Sequence, residues 1–124
     1  MRPTRFALIA TLAATLGGGC ADSTDPRPAT FDVIVTNILR PGCATATCHS
    51  AMTKAEGLDF STVAAAAESI DHEGLVPVGG GDPADSQLVY LLTTSGEKRM
   101  PVDSPLPDVD IELISNWIAA GAVK

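Results

Sequence analysis

Residues 31–49 read FDVIVTNILRPGCATATCH, and how this stretch is divided decides the fold. Phe31, Ile34, Val35, Ile38 and Leu39 recur at i, i+3, i+4, i+7 and i+8, which places five apolar side chains on one face of a helix. The β-branched residues suit a strand, but the segment does not keep the strict alternation that a half-buried strand needs. Thr30 stands where a helix N-cap belongs, and Asp32 suits the positive end of the helix dipole. Pro41-Gly42 reads as a stop, delivering the chain to Cys43.

The same reasoning extends downstream. Residues 59–70, DFSTVAAAAESI, form an alanine-rich second helix, followed by a glycine-rich loop, GLVPVGGGDP. Asp82-Pro83 is a start signal for a third helix, with Asp82 as N-cap and Pro83 at the first helical position. Leu88, Tyr90, Leu91 and Leu92 supply its apolar face, and Ser95-Gly96 ends it. After a proline-rich charged loop, EKRMPVDSPLP, Asp108 is placed to cap a last helix in which Ile111, Ile114, Trp117 and Ile118 share a face. Gly121 closes that helix at its C-terminal cap. Strand signals are scarce and no internal repeat is present. The expected fold is a small all-α domain of about four helices with two long loops.

The N-terminus has the layout of a targeting segment. Arg2 and Arg5 precede an uncharged, mostly apolar run from Phe6 to Leu16, which is too short for the ~20 residues of a membrane-spanning helix. Gly17 to Gly19 then lead to Cys20. This pattern resembles a bacterial lipoprotein signal, in which the cysteine is lipidated and becomes the new N-terminus, although Gly17 stands where an aliphatic residue is usual. The expected organisation is a signal peptide over 1–19, a lipidated N-terminus and polar linker over 20–30, and a folded domain over 31–124. Cleavage before Cys20 leaves 105 residues and moves the net charge from −7 to −9. Such acidity argues against a nucleic-acid partner and suits a protein partner with a basic docking face, drawn in by electrostatic steering. Export places the domain in an oxidising compartment of the cell envelope.

The chemistry concentrates in CATATCH, residues 43–49. The chain has three cysteines and two histidines, and this segment holds three of those five residues: Cys43, Cys48 and His49. Three readings fit. In one, Cys43 and Cys48 pair as a disulfide in a haem-free envelope interaction module. In another, Cys43, Cys48, His49 and His72 surround a zinc ion. In the third, the two thiols add across the vinyl groups of a haem, and the histidine directly after the second thiol becomes the proximal iron ligand. The spacing is C-x4-C-H, two residues wider than usual, and Ala44, Thr45, Ala46 and Thr47 are small enough to bulge. A low-spin haem needs a second axial donor. Met52 lies three residues from His49, too near to reach the opposite side of a ring. Met100, 51 residues beyond His49 in the segment RMP, has that reach, and His72 is the reserve donor.

The order FDVIVTNIL, CATATCHS, GLDFS, GGGDPADSQLVYLL, RMP and ELISNWIAAGA resembles the planctomycete-type cytochrome c domains and covers about three quarters of the chain. That resemblance implies one covalent haem c on Cys43 and Cys48, with His49 as proximal and Met100 as distal iron ligand. It also implies that the first and last helices cross, with Trp117 near the haem edge. The implied function is a single-electron carrier between redox partner proteins, tethered through a lipid on Cys20 to a bacterial membrane and facing the periplasm, with no catalytic residues of its own.

Overall fold

The computed structural model describes residues 25–124, so the proposed signal peptide and Cys20 lie outside the described residues. Four helices and three short 3-10 turns make up the secondary structure, and no strand occurs among the described residues. The domain is all-α.

Helix α1 is continuous through three parts: Phe31–Ile34, a π-helical turn at Val35–Leu39, and Arg40–Cys43. The five periodic residues Phe31, Ile34, Val35, Ile38 and Leu39 are all at most 2% exposed. The helix does not stop at Pro41-Gly42. In the wide turn the Arg40 N–H donates to Val35 O, an i→i+5 bond. A proline inside a regular helix clashes with the carbonyl four residues earlier and leaves it without a donor. The π turn rearranges the carbonyls ahead of Pro41, so the chain passes through it and ends at Cys43. Thr30 occupies the N-cap position without making a side-chain capping bond.

Helix α2 spans Val63–His72, starting four residues later than the sequence suggests. Thr62 caps it, its Oγ1 accepting from Ala65 N at 3.1 Å. Asp59 is occupied instead in a turn, where its Oδ1 accepts from Ser61 N and Ser61 Oγ. Gly74, at φ 61, closes α2: Leu75 N donates to Ile70 O and Gly74 N to Asp71 O, the paired bonds of a Schellman cap.

Asp82 and Pro83 open a 3-10 turn at Pro83–Asp85 in place of the α-helix itself. Helix α3 covers Gln87–Thr93 and begins one turn later, behind Ser86. Ser86 is fully buried, and its Oγ donates to Leu75 O at 3.0 Å. Leu88 and Leu92 enter the core, Leu91 is half-buried, and Tyr90 faces outward, because a helix this short offers only one narrow inward stripe.

Helix α4, Asp108–Ala119, starts behind Pro107, and Asp108 is its first residue, not its cap. Ile114, Trp117 and Ile118 are buried as the periodicity implies, together with Leu113, while Ile111 packs at the edge of the core. Gly121, at φ 115, ends the helix with the same Schellman pairing, Ala122 N to Trp117 O and Gly121 N to Ile118 O.

One continuous aliphatic core joins the four helices. Helix α1 packs on α2 and α4, and α3 packs on α4. Phe31 stacks on Trp117 with ring centroids 5.3 Å apart. The glycine-rich loop seals the end of α4. A Cβ on Gly80 would fall 2.2 Å from Ile118 O, so only glycine admits this approach, and Gly81 N donates to the same carbonyl. Residues 25–30 lie on the folded body through Arg27, which binds both Asp25 and Asp110.

Candidate functional site

Cys43 ends α1 and CATATCH leaves it as a closed loop. His49 N donates to Cys43 O at 3.0 Å and Cys48 N to Thr45 O at 3.0 Å, so the four-residue spacer is wound into hydrogen-bonded turns. Thr53 Oγ1 donates to Ala46 O from outside. Cys43 and Cys48 are free thiols, each half-buried. Burial, and secondarily the neighbouring Cys48, pushes the Cys43 thiol up to about 11.

His49 is the most constrained side chain of this loop and is 9% exposed. Its Nδ1 lies 2.8 Å from Ala55 O. A carbonyl only accepts, so Nδ1 carries a proton, and in the neutral imidazole the lone pair for a ligand is on Nε2. The Phe60 ring meets the imidazole edge-on with centroids 5.4 Å apart, and Phe60 N donates to His49 O at 2.8 Å. A second support lies behind these: Asp59 N donates to the buried Ser69 Oγ, which donates to Asp59 O.

The segment that presents Ala55 O is strained. Lys54 and Glu56, on either side of Ala55, have φ 45 and 53, and Gly57 follows at φ 77. Each left-handed non-glycine residue costs about 1–2 kcal/mol. Such strain persists only where surrounding contacts fix the chain. Here they include Ala55 N donating to Cys48 O, Lys54 N to Ser50 O, and a Lys54–Asp59 ion pair at 3.7 Å.

The other side comes from the 96–107 loop. Met100 N donates to Leu91 O at 2.8 Å, tying the loop to α3, and Leu106 packs on Gly42 of α1. These anchors bring Met100 to the cysteine loop. Cys43, Cys48, His49 and Met100 line one cleft of about 380 Å³, with Pro101, Val102, Asp103, Ala55 and Glu56 among its other walls. That volume falls within the ~300–1,000 Å³ of small-molecule sites.

The remaining expected donors lie elsewhere. His72 sits on α2 against Glu73 and lines a separate polar cleft with Lys54, Asp59 and Glu68, so neither the four-ligand zinc site nor the reserve axial role is assembled. Among the described residues no group of three or more His, Cys, Asp and Glu could hold a metal ion. Met52 is 95% exposed. Trp117, expected beside the cofactor, is absent from the cleft lining: it stacks on Phe31, and its Nε1 donates to Val123 O. The helical period correctly turned it inward but does not say which part of the interior it reaches.

The sequence singles out His49 but does not identify Ala55 as the acceptor that orients it, nor the supporting roles of Phe60, Asp59 and Ser69. The run Ala55-Glu56-Gly57 carried one usable signal, a glycine able to take positive φ just after the loop.

The chain matches no protein-family model, no curated protein and no solved structure. Among the described residues no helix is long and apolar enough to cross a membrane.

Proposed function

We propose that this chain is a single-haem c-type electron carrier of the planctomycete cytochrome c kind. One observation carries the reading. Two thiols, an imidazole with its Nε2 lone pair available and a thioether from a distant loop all line the same cleft. This donor set fits a covalently held haem, which takes two cysteines for attachment, a histidine on one side of the iron and a methionine on the other. It fits zinc poorly, because methionine sulfur is not among the usual ligands of that ion and His72 is remote.

In this reading Cys43 and Cys48 would hold the porphyrin as thioethers, and His49 and Met100 would ligate the iron. A haem held there supplies one-electron exchange between ferric and ferrous iron. The chain's own contribution is orientation and exclusion. Ala55 O fixes the orientation of the imidazole and directs Nε2 toward the ligand. Phe60 shields the ring, and the Pro101–Asp103 wall narrows access from solvent. The acidic surface steers a basic redox partner toward the domain. Lipidation at Cys20 and attachment to the envelope membrane complete the proposal.

Intact-mass analysis of the exported domain tests it. The expected product is heavier by one haem and has no thiol that can be alkylated at Cys43 or Cys48. A mass two hydrogens lighter than the reduced chain would identify the disulfide-bonded, haem-free module instead and overturn the proposal.

A further inference from the structure

The Met100 side of the cleft is built from chain with almost no hydrogen bonding of its own. Met100 N reaches Leu91 O, and Pro107 O accepts from Asp110 and Ile111 at the start of α4. Between them, residues 101–106 make no backbone–backbone hydrogen bond. Yet Pro101, Val102 and Asp103 form that wall of the cleft.

Arg99 bridges the gap. Its Nε donates to Pro101 O at 3.4 Å and its Nη2 to Val102 O at 3.3 Å. Its own N–H donates to Gly96 O at 3.1 Å, which roots the residue in the turn before Met100. Among the described residues Arg99 makes no salt bridge, although the chain is strongly acidic, so its guanidinium is committed to these two carbonyls. At the far end the wall is held by Leu106 against Gly42. The stretch is therefore a strap pinned at both ends, and Arg99 is the pin beside Met100.

We propose that Arg99 is a positioning residue that clamps the strap across Met100 and so keeps the Met100 sulfur directed into the cleft, an inference that rests on the haem reading above. The clamp needs a planar fork whose nitrogens reach two successive carbonyls together. Lysine offers a single flexible ammonium and cannot hold both in fixed geometry. Arg99→Lys therefore keeps the charge and loses the clamp.

The test uses the haem-loaded protein and its Arg99→Ala, Arg99→Lys and Met100→Ala variants. Three quantities are read: the weak sulfur-to-iron absorption band of the ferric form, the rate of carbon monoxide binding to the ferrous form, and amide exchange at Met100, whose N–H is bonded to Leu91 O. Far-ultraviolet circular dichroism checks the helices. Both Arg99 variants should keep wild-type helix content, lose part of the sulfur-to-iron band, exchange faster at the Met100 amide and bind carbon monoxide about tenfold faster. That factor corresponds to one charge-assisted hydrogen bond. Met100→Ala sets the limit, with the band gone. An Arg99→Ala protein with the wild-type band, gas-binding rate and exchange would overturn the inference while leaving the haem reading intact. Wild-type behaviour of Arg99→Lys alone would overturn the fork as the mechanism. A wild-type protein that carries no haem would overturn the haem reading and, with it, this role of Arg99.

Discussion

Two regions that meet at Cys43 are held together in different ways. On one side, α1, α2, α3 and α4 bury a continuous set of aliphatic residues around Phe31 and Trp117, and two of the helices end in glycine caps. On the other, residues 43–61 and 96–107 contribute few core residues and keep their shape through hydrogen bonds and left-handed backbone. Packing in the first region is broad and redundant. Positioning in the second depends on single groups: Ala55 O for His49, Leu91 O and Arg99 for Met100. The division suits a domain whose stability and chemistry reside in different places. A substitution in the helical region should cost more stability and spare the cleft, and one in the loops should change stability less and the cleft more.

The largest stability loss is expected for Ile114→Ala. Ile114 is fully buried in the core, and truncation there should cost about 2–5 kcal/mol in chemical denaturation. Gly80→Ala should follow at about 2–3 kcal/mol. Its methyl group would collide with Ile118 O at a φ of 75, and the loop can only retreat from the cap of α4. Both variants should retain the cleft's ligand chemistry. Loss of axial ligation without loss of stability in either would remove the distinction between the regions.

Smaller effects sharpen the other side of the contrast. Asp59 is held below the ordinary carboxylate range, first by the Ser61 hydroxyl, then by the Ser61 N–H, with Lys54 adding to them. A depressed folded-state pKa stabilises the fold above the unfolded value of ~3.9, and that contribution disappears as pH falls through the folded value. Wild-type protein should therefore lose stability in acid faster than Asp59→Asn, as followed by thermal melts from neutral pH down to about 3. Parallel curves would exclude Asp59 as a contributor. Glu56→Gly is expected to give the smallest change and to be stabilising. Relief of a left-handed residue gains about 1–2 kcal/mol and the added unfolded-state freedom removes ~0.4–1 kcal/mol, for a net gain of up to about 1.6 kcal/mol. A destabilised Glu56→Gly protein would mean that the Glu56 side chain does more than line the cleft.

The helical region was the more legible of the two because burial there follows period. The spacing of Phe31, Ile34, Val35, Ile38 and Leu39 predicts the buried face of α1 residue by residue. Boundaries were less legible. Pro41 breaks a regular helix, and nothing in the local sequence announces the π turn that lets α1 continue to Cys43. Asp59 and Asp82 are good capping residues in isolation, but Thr62 and Ser86, three or four positions later, hold the α-helical caps. In the cleft, Cys43, Cys48, His49 and Met100 could be named because thiols, imidazoles and thioethers are rare in this chain and each has its own chemistry. Ala55 could not, since every residue has a carbonyl and only the path of the backbone selects one. The same is true of Arg99, whose partners are the carbonyls of its own loop.

If Cys43, Cys48, His49 and Met100 form one haem site, covalent haem must travel with the chain. The most direct measurement is the pyridine haemochrome spectrum of the full chain, expressed with cytochrome c maturation machinery and extracted with acidified acetone. A c-type haemochrome that stays with the protein after extraction is expected, and it should be lost in the Cys43→Ser, Cys48→Ser double variant. A colourless wild-type protein, or haem released wholly into the acetone, would contradict it.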